Sequence, residues 1–375
     1  MFDFNNILSD ISERGEWRML PSDFNNPSRD FSSNDYLGIA SDKRLLSEFM
    51  SSLPEHFSFT SSASRLLSAR QHSYSDLESY LSELYGSEAL LFNSGYHLNT
   101  GVISSIGHIP STLIIADKLS HASIIDGIIL SRNKFVRFRH NDMEDLENIL
   151  KNNCGTYRNL LVITESVFSM DGDESPLLQL VELKKKYPGM CLYVDEAHAF
   201  GVRGKLGLGL SEEKGVTEDI DFLCGTLGKA AASAGAFIIC DKSSKDFLVN
   251  TCRSLIFSTV FPPVNAVWSL FIIQNIIRMD KERKHLAEIS LSLKNGIELI
   301  SGKENPSSSN IIPWILGSTD KVNYISGELR SAGIRALPIR RPTVPAGTER
   351  IRFSIGANHT HDDINSLLDI ISNLT

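Results

Sequence analysis

Lys229 stands among small residues in the stretch DFLCGTLGKAAASAG, residues 221–235. An apolar run at 222–224 precedes it, and Gly225, Thr226 and Gly228 then break the pattern. Burial of such a lysine would disfavour its charged form and free the amine. A free amine can form a Schiff base with an aldehyde. Thr226, three residues earlier, offers a hydroxyl suited to a phosphate oxygen. Alone, the stretch reads better as a surface lysine on a small-residue loop. Company elsewhere in the chain changes that weighting. Asp195 and His198 close YVDEAH, Ser169 lies in ESVFSMDGD, His121 lies in DKLSHAS, and Gly95 and Tyr96 follow ALLF.

The elements that must position these residues are legible as a pattern. Phe4, Ile7, Leu8 and Ile11 have helical spacing, which predicts a short amphipathic helix. RDFSSNDYLGIA (29–40) reads as a short strand and a turn, and the Ser-rich 56–70 as a loop. From Ser73 onward strands and helices alternate. Apolar runs at 89–92, 112–117, 134–138, 159–165, 191–198, 221–226 and 235–241 read as strands. Leu77, Leu81 and Leu84 form a helix face closed by Gly86, and a helix over 142–151 takes Asp142 as its cap. Strands apolar throughout and alternating with helices predict an α/β fold whose mostly parallel sheet is covered on both faces. A long apolar helix over 261–279 leads out of this region. Strands at 311–316, 334–338 and 350–355, with helices at 322–332 and 364–374, predict a smaller α+β lobe. The expected division is an N-terminal segment 1–43, a large domain 44–278 and a C-terminal domain 279–375.

Composition removes several classes of function. The chain has 375 residues, 42% hydrophobic and 22% charged, with a net charge of −8. An acidic protein lacks the basic face that nucleic acid requires. The five cysteines show no CxxC pair, so free thiols in a reducing cytoplasm are expected, with neither a disulfide framework nor a metal site. The start, MFDFNNILSDI, has no basic stretch, and no apolar run reaches membrane-spanning length, so neither a signal peptide nor a membrane partner is expected. YVDEAH also has the form of an ATPase strand end, but that class needs a GxxxxGK[ST] loop. None of the GK pairs at 204–205, 228–229 and 302–303 fits it.

In a parallel sheet the site lies beyond the carboxyl ends of the strands. Those ends gather Ser94, His121, Glu165, Ser169, Asp171, Asp195, Glu196, His198, Thr226 and Lys229. The set matches what pyridoxal phosphate (PLP) asks of a protein. Lys229 supplies the amine for its aldehyde, Asp195 the carboxylate for its ring nitrogen, and His121 a flat group for its face. A helix N-terminus at Gly95 and Tyr96 supplies amides for the phosphate, and Thr226 a hydroxyl. His198 and Ser169 suit the ring hydroxyl.

FSSNDYLG, DKLSHAS, TESVFSMDGD, VDEAH, TLGK and RPTVPAGTERIR together resemble the α-oxoamine synthases over nearly the whole chain. These are fold-type-I PLP-dependent enzymes that condense an amino acid with an acyl thioester and release carbon dioxide. NDYLG and PTVPAGT lean toward members of the biotin pathway, which join L-alanine to a pimeloyl thioester of coenzyme A or acyl carrier protein. Glycine-using members (2-amino-3-ketobutyrate CoA ligase, that is glycine C-acetyltransferase, and 5-aminolevulinate synthase) are the alternative. The resemblance implies a homodimer with active sites at its interface, and Thr259 reaching the neighbouring subunit's phosphate. It implies substrate contacts from Arg18, His121 and Thr343, and Arg352 as receiver of the amino-acid carboxylate, for which a guanidinium is suited. The sequence departs from the family at TSSASR (60–65), where glycines are usual, and at Ala230–Ser233, where glycines usually follow the lysine. Tyr74 replaces a histidine and Arg341 a proline.

Overall fold

The computed structural model describes residues 2–14, 16–18, 20, 29–53, 58–69 and 71–374. The chain divides into two compact units: Leu37–Ser169 with Glu174–Arg283, and Met1–Tyr36 with Met170–Asp173 and Lys284–Thr375.

The larger unit holds a seven-stranded sheet. Its strands are β1 (Glu88–Phe92), β2 (Thr112–Asp117), β3 (Phe135–Phe138), β4 (Asn159–Glu165), β5 (Met190–Asp195), β6 (Phe222–Thr226) and β7 (Ala236–Cys240), in the order β1-β7-β6-β5-β4-β2-β3. The contacts among β2 to β6 are parallel, whereas β7 pairs antiparallel with both β6 and β1. Thus β7 alone is reversed, and the carboxyl ends of the other six share one edge. Helices cover the sheet, and apolar side chains of β1, β2, β4, β5, β6 and β7 form one core with Leu98, Val102, Ile103, Ile124 and Ile128. One expectation fails at the rim. β3 is an edge strand, and its Phe135 and Val136 are exposed rather than enclosed.

Local chemistry starts the helices that matter. Ser94 has extended backbone and accepts a bond from the His97 N–H, opening the helix Gly95–Gly107. Asp142 accepts from the Asp145 N–H, as its place before the apolar pattern predicts. Gly86, at φ 68°, ends the helix His72–Tyr85 in the left-handed conformation that glycine adopts freely.

In the smaller unit, Ile311–Ile315, Arg350–Ser354 and Leu337–Ile339 form an antiparallel sheet with Arg350–Ser354 central. The strand predicted at 334–338 is two strands. Ile334–Arg335 pairs parallel with Arg29–Asp30, and the chain then changes partner at Ala336. The N-terminal helix forms at Phe4–Glu13, with none of its side chains buried. The helix predicted over 261–279 spans Pro263–Ile276. A 22-residue helix, Asp280–Ser301, follows, which the sequence reading does not anticipate. Its charged opening hides the spacing of Leu286, Ile289, Leu293 and Ile297, all of them buried.

Candidate cofactor site at the strand ends

The residues of the larger unit that carry chemistry meet at the shared carboxyl edge. The last residue of β5, Asp195, is 7% exposed. Its Oδ1 accepts from the Ala197 N–H at 2.9 Å, and its Oδ2 from Asn99 Nδ2 at 2.8 Å. Two donors on two oxygens suit a carboxylate held ready to face a cation. His198, three residues on, is buried, and its Nε2 lies 2.7 Å from Lys229 Nζ. Lys229 follows β6 and is half-buried.

The start of the helix Gly95–Gly107 offers a cradle of amides. Ser94 satisfies the His97 N–H and its carbonyl takes the Leu98 N–H, which leaves the Gly95 and Tyr96 amides facing outward at the positive helix end. A Cβ on Gly95 would stand 3.9 Å from Thr226 Oγ1, so the glycine keeps that space open beside the hydroxyl. Thr226 Oγ1 accepts the Gly228 N–H at 3.3 Å. These groups fit a phosphate, a pyridine nitrogen and an aldehyde.

His121 caps the helix Ala122–Ser131, and its backbone N–H donates to Glu165 Oε1 at 2.6 Å. Glu165, the last residue of β4, is buried, and burial first and Asp195 second raise its pKa well above the usual carboxylate range. Desolvation lowers the pKa of His121, with the Lys229 charge adding to it and Asp195 opposing. The helix Ala122–Ser131 crosses Gly95–Gly107 backbone against backbone. A Cβ on Gly127 would stand 2.7 Å from Asn99 O and 3.2 Å from Thr100 Cα. That approach brings Asn99, on the first helix, to Ser123 on the second, at 2.9 Å. Asn99 carried no signal in the sequence beyond being polar in the first turns of a largely apolar helix.

Three residues placed at this edge by the sequence reading do other work. Asp171 forms an ion pair with Arg350 in the smaller unit. Glu196 is buried and accepts from the Leu210 and Ser211 amides and from Ser166. Ser94 spends its hydroxyl at the helix start. Ser169 is half-buried at the end of its segment of the larger unit, and Tyr96 donates its hydroxyl to Asp126. Thr259 is exposed and pairs as an isolated bridge with Ser64 of the TSSASR loop. In the smaller unit Arg18 and Thr343 are exposed, whereas Arg352 is 3% exposed on the central strand. Arg352 Nη2 donates to Asn34 Oδ1 at 3.3 Å, as does the Tyr36 hydroxyl at 3.1 Å. Burial raises the Tyr36 pKa to about 12 against the pull of Arg352. Two residues of NDYLG therefore hold this arginine, a link that the sequence does not display.

The departures after Lys229 are accommodated locally. Ala230 sits against Gly201, where a Cβ would come within 2.6 Å of the Ala230 Cβ. Ala232 has φ 45°, a left-handed conformation that costs an L-residue about 1 kcal/mol. It is held by its N–H to Lys229 O at 2.8 Å and by Trp268 Nε1 to its carbonyl at 2.9 Å. Ala232→Gly relieves that strain, partly offset by the greater freedom of unfolded glycine. It is expected to raise unfolding stability by up to about 1 kcal/mol. Urea unfolding measures it, and a lower midpoint would contradict the assignment. Tyr74 donates its hydroxyl to Phe261 O at 2.5 Å.

The profile of the aminotransferase class I and II family matches residues 28–371. The chain belongs to that family, and is an enzyme of the PLP-dependent fold type I and of the α-oxoamine synthase kind. An 8-amino-7-oxononanoate synthase of Haemophilus ducreyi is 45% identical over 97% of this chain and 95% of its own. A Pasteurella multocida protein provisionally given the same name is 45% identical over 98% of this chain and 97% of its own. Among solved structures, serine palmitoyltransferase of Sphingomonas wittichii superposes with a TM-score of 0.89 at 29% identity, covering 100% of this chain and 96% of that one. A serine palmitoyltransferase solved with PLP gives 0.88 at 27%, covering 99% and 97%. The 8-amino-7-oxononanoate synthase of Francisella tularensis gives 0.76 at 25%, covering 92% and 97%. Among the described residues no helix is long and apolar enough to cross a membrane.

Proposed function

We propose that this enzyme condenses L-alanine with a pimeloyl thioester and releases carbon dioxide, giving 8-amino-7-oxononanoate for biotin synthesis. The observation that carries the reading is the Lys229 amine, 2.7 Å from His198 and on the same strand edge as the doubly hydrogen-bonded Asp195. Likeness to the named synthases supports the choice of substrates.

Bound there, PLP supplies an electron sink that lets an amino acid lose its Cα proton and later a carboxylate. The chain's residues do the rest. Gly95 and Tyr96 amides and the Thr226 hydroxyl bind the phosphate, with Thr259 serving the partner subunit of a homodimer. Asp195 keeps a positive charge on the ring nitrogen. His121 covers the ring face, and Ser169 and His198 engage its hydroxyl. Lys229 binds the aldehyde and is the base for the Cα proton. Arg352 receives the amino-acid carboxylate, and Arg18 and Thr343 contact substrate.

The test is product formation by the purified enzyme with PLP. L-Alanine with pimeloyl-CoA or pimeloyl-ACP is expected to release the free carrier thiol at least about tenfold faster than glycine with acetyl- or succinyl-CoA, a difference worth about 1.4 kcal/mol or more in transition-state binding. Turnover with the glycine pair alone would overturn the substrate assignment in favour of a glycine-using synthase.

A further inference from the structure

Asn99 occupies a position that its helix does not explain. It is 2% exposed, and its carboxamide makes three side-chain bonds. Tyr193 donates its hydroxyl to Asn99 Oδ1 at 2.6 Å. Nδ2 donates to Asp195 Oδ2 at 2.8 Å and to Ser123 Oγ at 2.9 Å. The amide cannot be turned over, because a flipped carboxamide would set its oxygen against the Asp195 carboxylate. Since Ser123 Oγ accepts from Asn99, its own hydrogen is free for its other neighbour. That neighbour is His121 Nδ1, at 2.8 Å. The Ser123 backbone N–H also points at Nδ1, at 3.2 Å. Two donors converge on one ring nitrogen, so that nitrogen is the acceptor.

We propose that Asn99, acting through Ser123, fixes His121 as the tautomer protonated at Nε2 while it also holds Asp195. One buried carboxamide then sets both the carboxylate under the ring nitrogen and the donor face of the histidine. The second role rests on the PLP reading. There His121 meets its ligand as a neutral N–H donor, suited to a carboxylate or carbonyl oxygen of the substrate. Asn99 and Ser123 are positioning residues, and neither has to touch substrate. The lowered pKa of His121 agrees with a neutral ring.

The experiment is nitrogen-15 NMR of histidine-labelled full-length protein, with and without PLP. The His121 resonances are identified by their loss in His121→Gln. Wild type is expected to show a protonated Nε2 and a bare Nδ1. Ser123→Ala removes the hydroxyl donor and should give a mixture of the two tautomers. Asn99→Ala removes the donor that fixes the direction of the Ser123 hydroxyl, and should also give a mixture of tautomers, with less of the Nδ1-protonated form than Ser123→Ala because the hydroxyl is kept. Ser123→Thr keeps the hydroxyl and should restore the wild-type pattern. A proton on Nδ1 in wild type overturns the proposal. So does an unchanged tautomer in a folded Ser123→Ala protein, with folding checked by circular dichroism. If no PLP binds while the NMR pattern stands, the functional reading falls and the proton placement survives.

Discussion

Lys229→Ala is expected to lower carbon dioxide release by at least about a thousandfold while leaving the protein folded. On the proposed function the side chain serves twice, as the amine for the aldehyde and as the base for the Cα proton, and a methyl group can do neither. His198 Nε2 lies 2.7 Å from its nitrogen, but an imidazole has no primary amine and cannot form the same linkage. The backbone should tolerate the change. Ala232 N–H bonds the carbonyl of residue 229, and Ser233 N–H bonds Leu227 O, so the loop is held by its main chain. Melting temperature should therefore move little while activity disappears. A small exogenous amine should restore part of the proton transfer. An alanine variant keeping a tenth of wild-type turnover would sink the assignment.

Asp195→Asn should cost roughly a hundred- to a thousandfold in kcat/KM. An amide is nearly the same size as the carboxylate but cannot balance a protonated ring nitrogen. It also meets a donor that expects an acceptor. Asn99 Nδ2 faces the oxygen at 2.8 Å, and the Ala197 N–H faces the other at 2.9 Å. One of the two bonds must be lost whichever way the new amide turns. PLP affinity is therefore expected to fall along with turnover, measured by following cofactor release on dilution. Asp195→Glu keeps the charge and should recover part of both. If Asp195→Asn retained wild-type kcat/KM, the ring nitrogen would need another partner.

The residues with distinctive chemistry were the legible part. Lys229, Asp195, His198 and Thr226 end apolar runs in small or polar company, and strand ends converge in a parallel sheet whatever the register. The reversal of β7 was not legible. Its apolar run from Ala236 is as buried as its neighbours, and direction depends on where the chain has room to return. The split at Ala336 was hidden for a similar reason, since two short strands with different partners read as one apolar run. Asn99 and the hold of Asn34 and Tyr36 on Arg352 were invisible because each bond joins residues far apart in sequence. Asp171 misled because it lies in a motif that reads as one site, while its carboxylate is used by Arg350.

The crossing at Gly127 bears on how the enzyme responds to heat. Most helix pairs meet through side chains, which change rotamer and let the pair breathe. Here the nearest atom to a Cβ at Gly127 is the Asn99 carbonyl, and main chain has no rotamers to spend. The spacing that carries the Asn99 bonds to Asp195 and Ser123 therefore has little slack. Warming should not loosen this part of the pocket by degrees. If Asp195 holds the ring nitrogen as proposed, that grip should fail only when the two helices part, so cofactor loss and melting of that pair should coincide in one cooperative step.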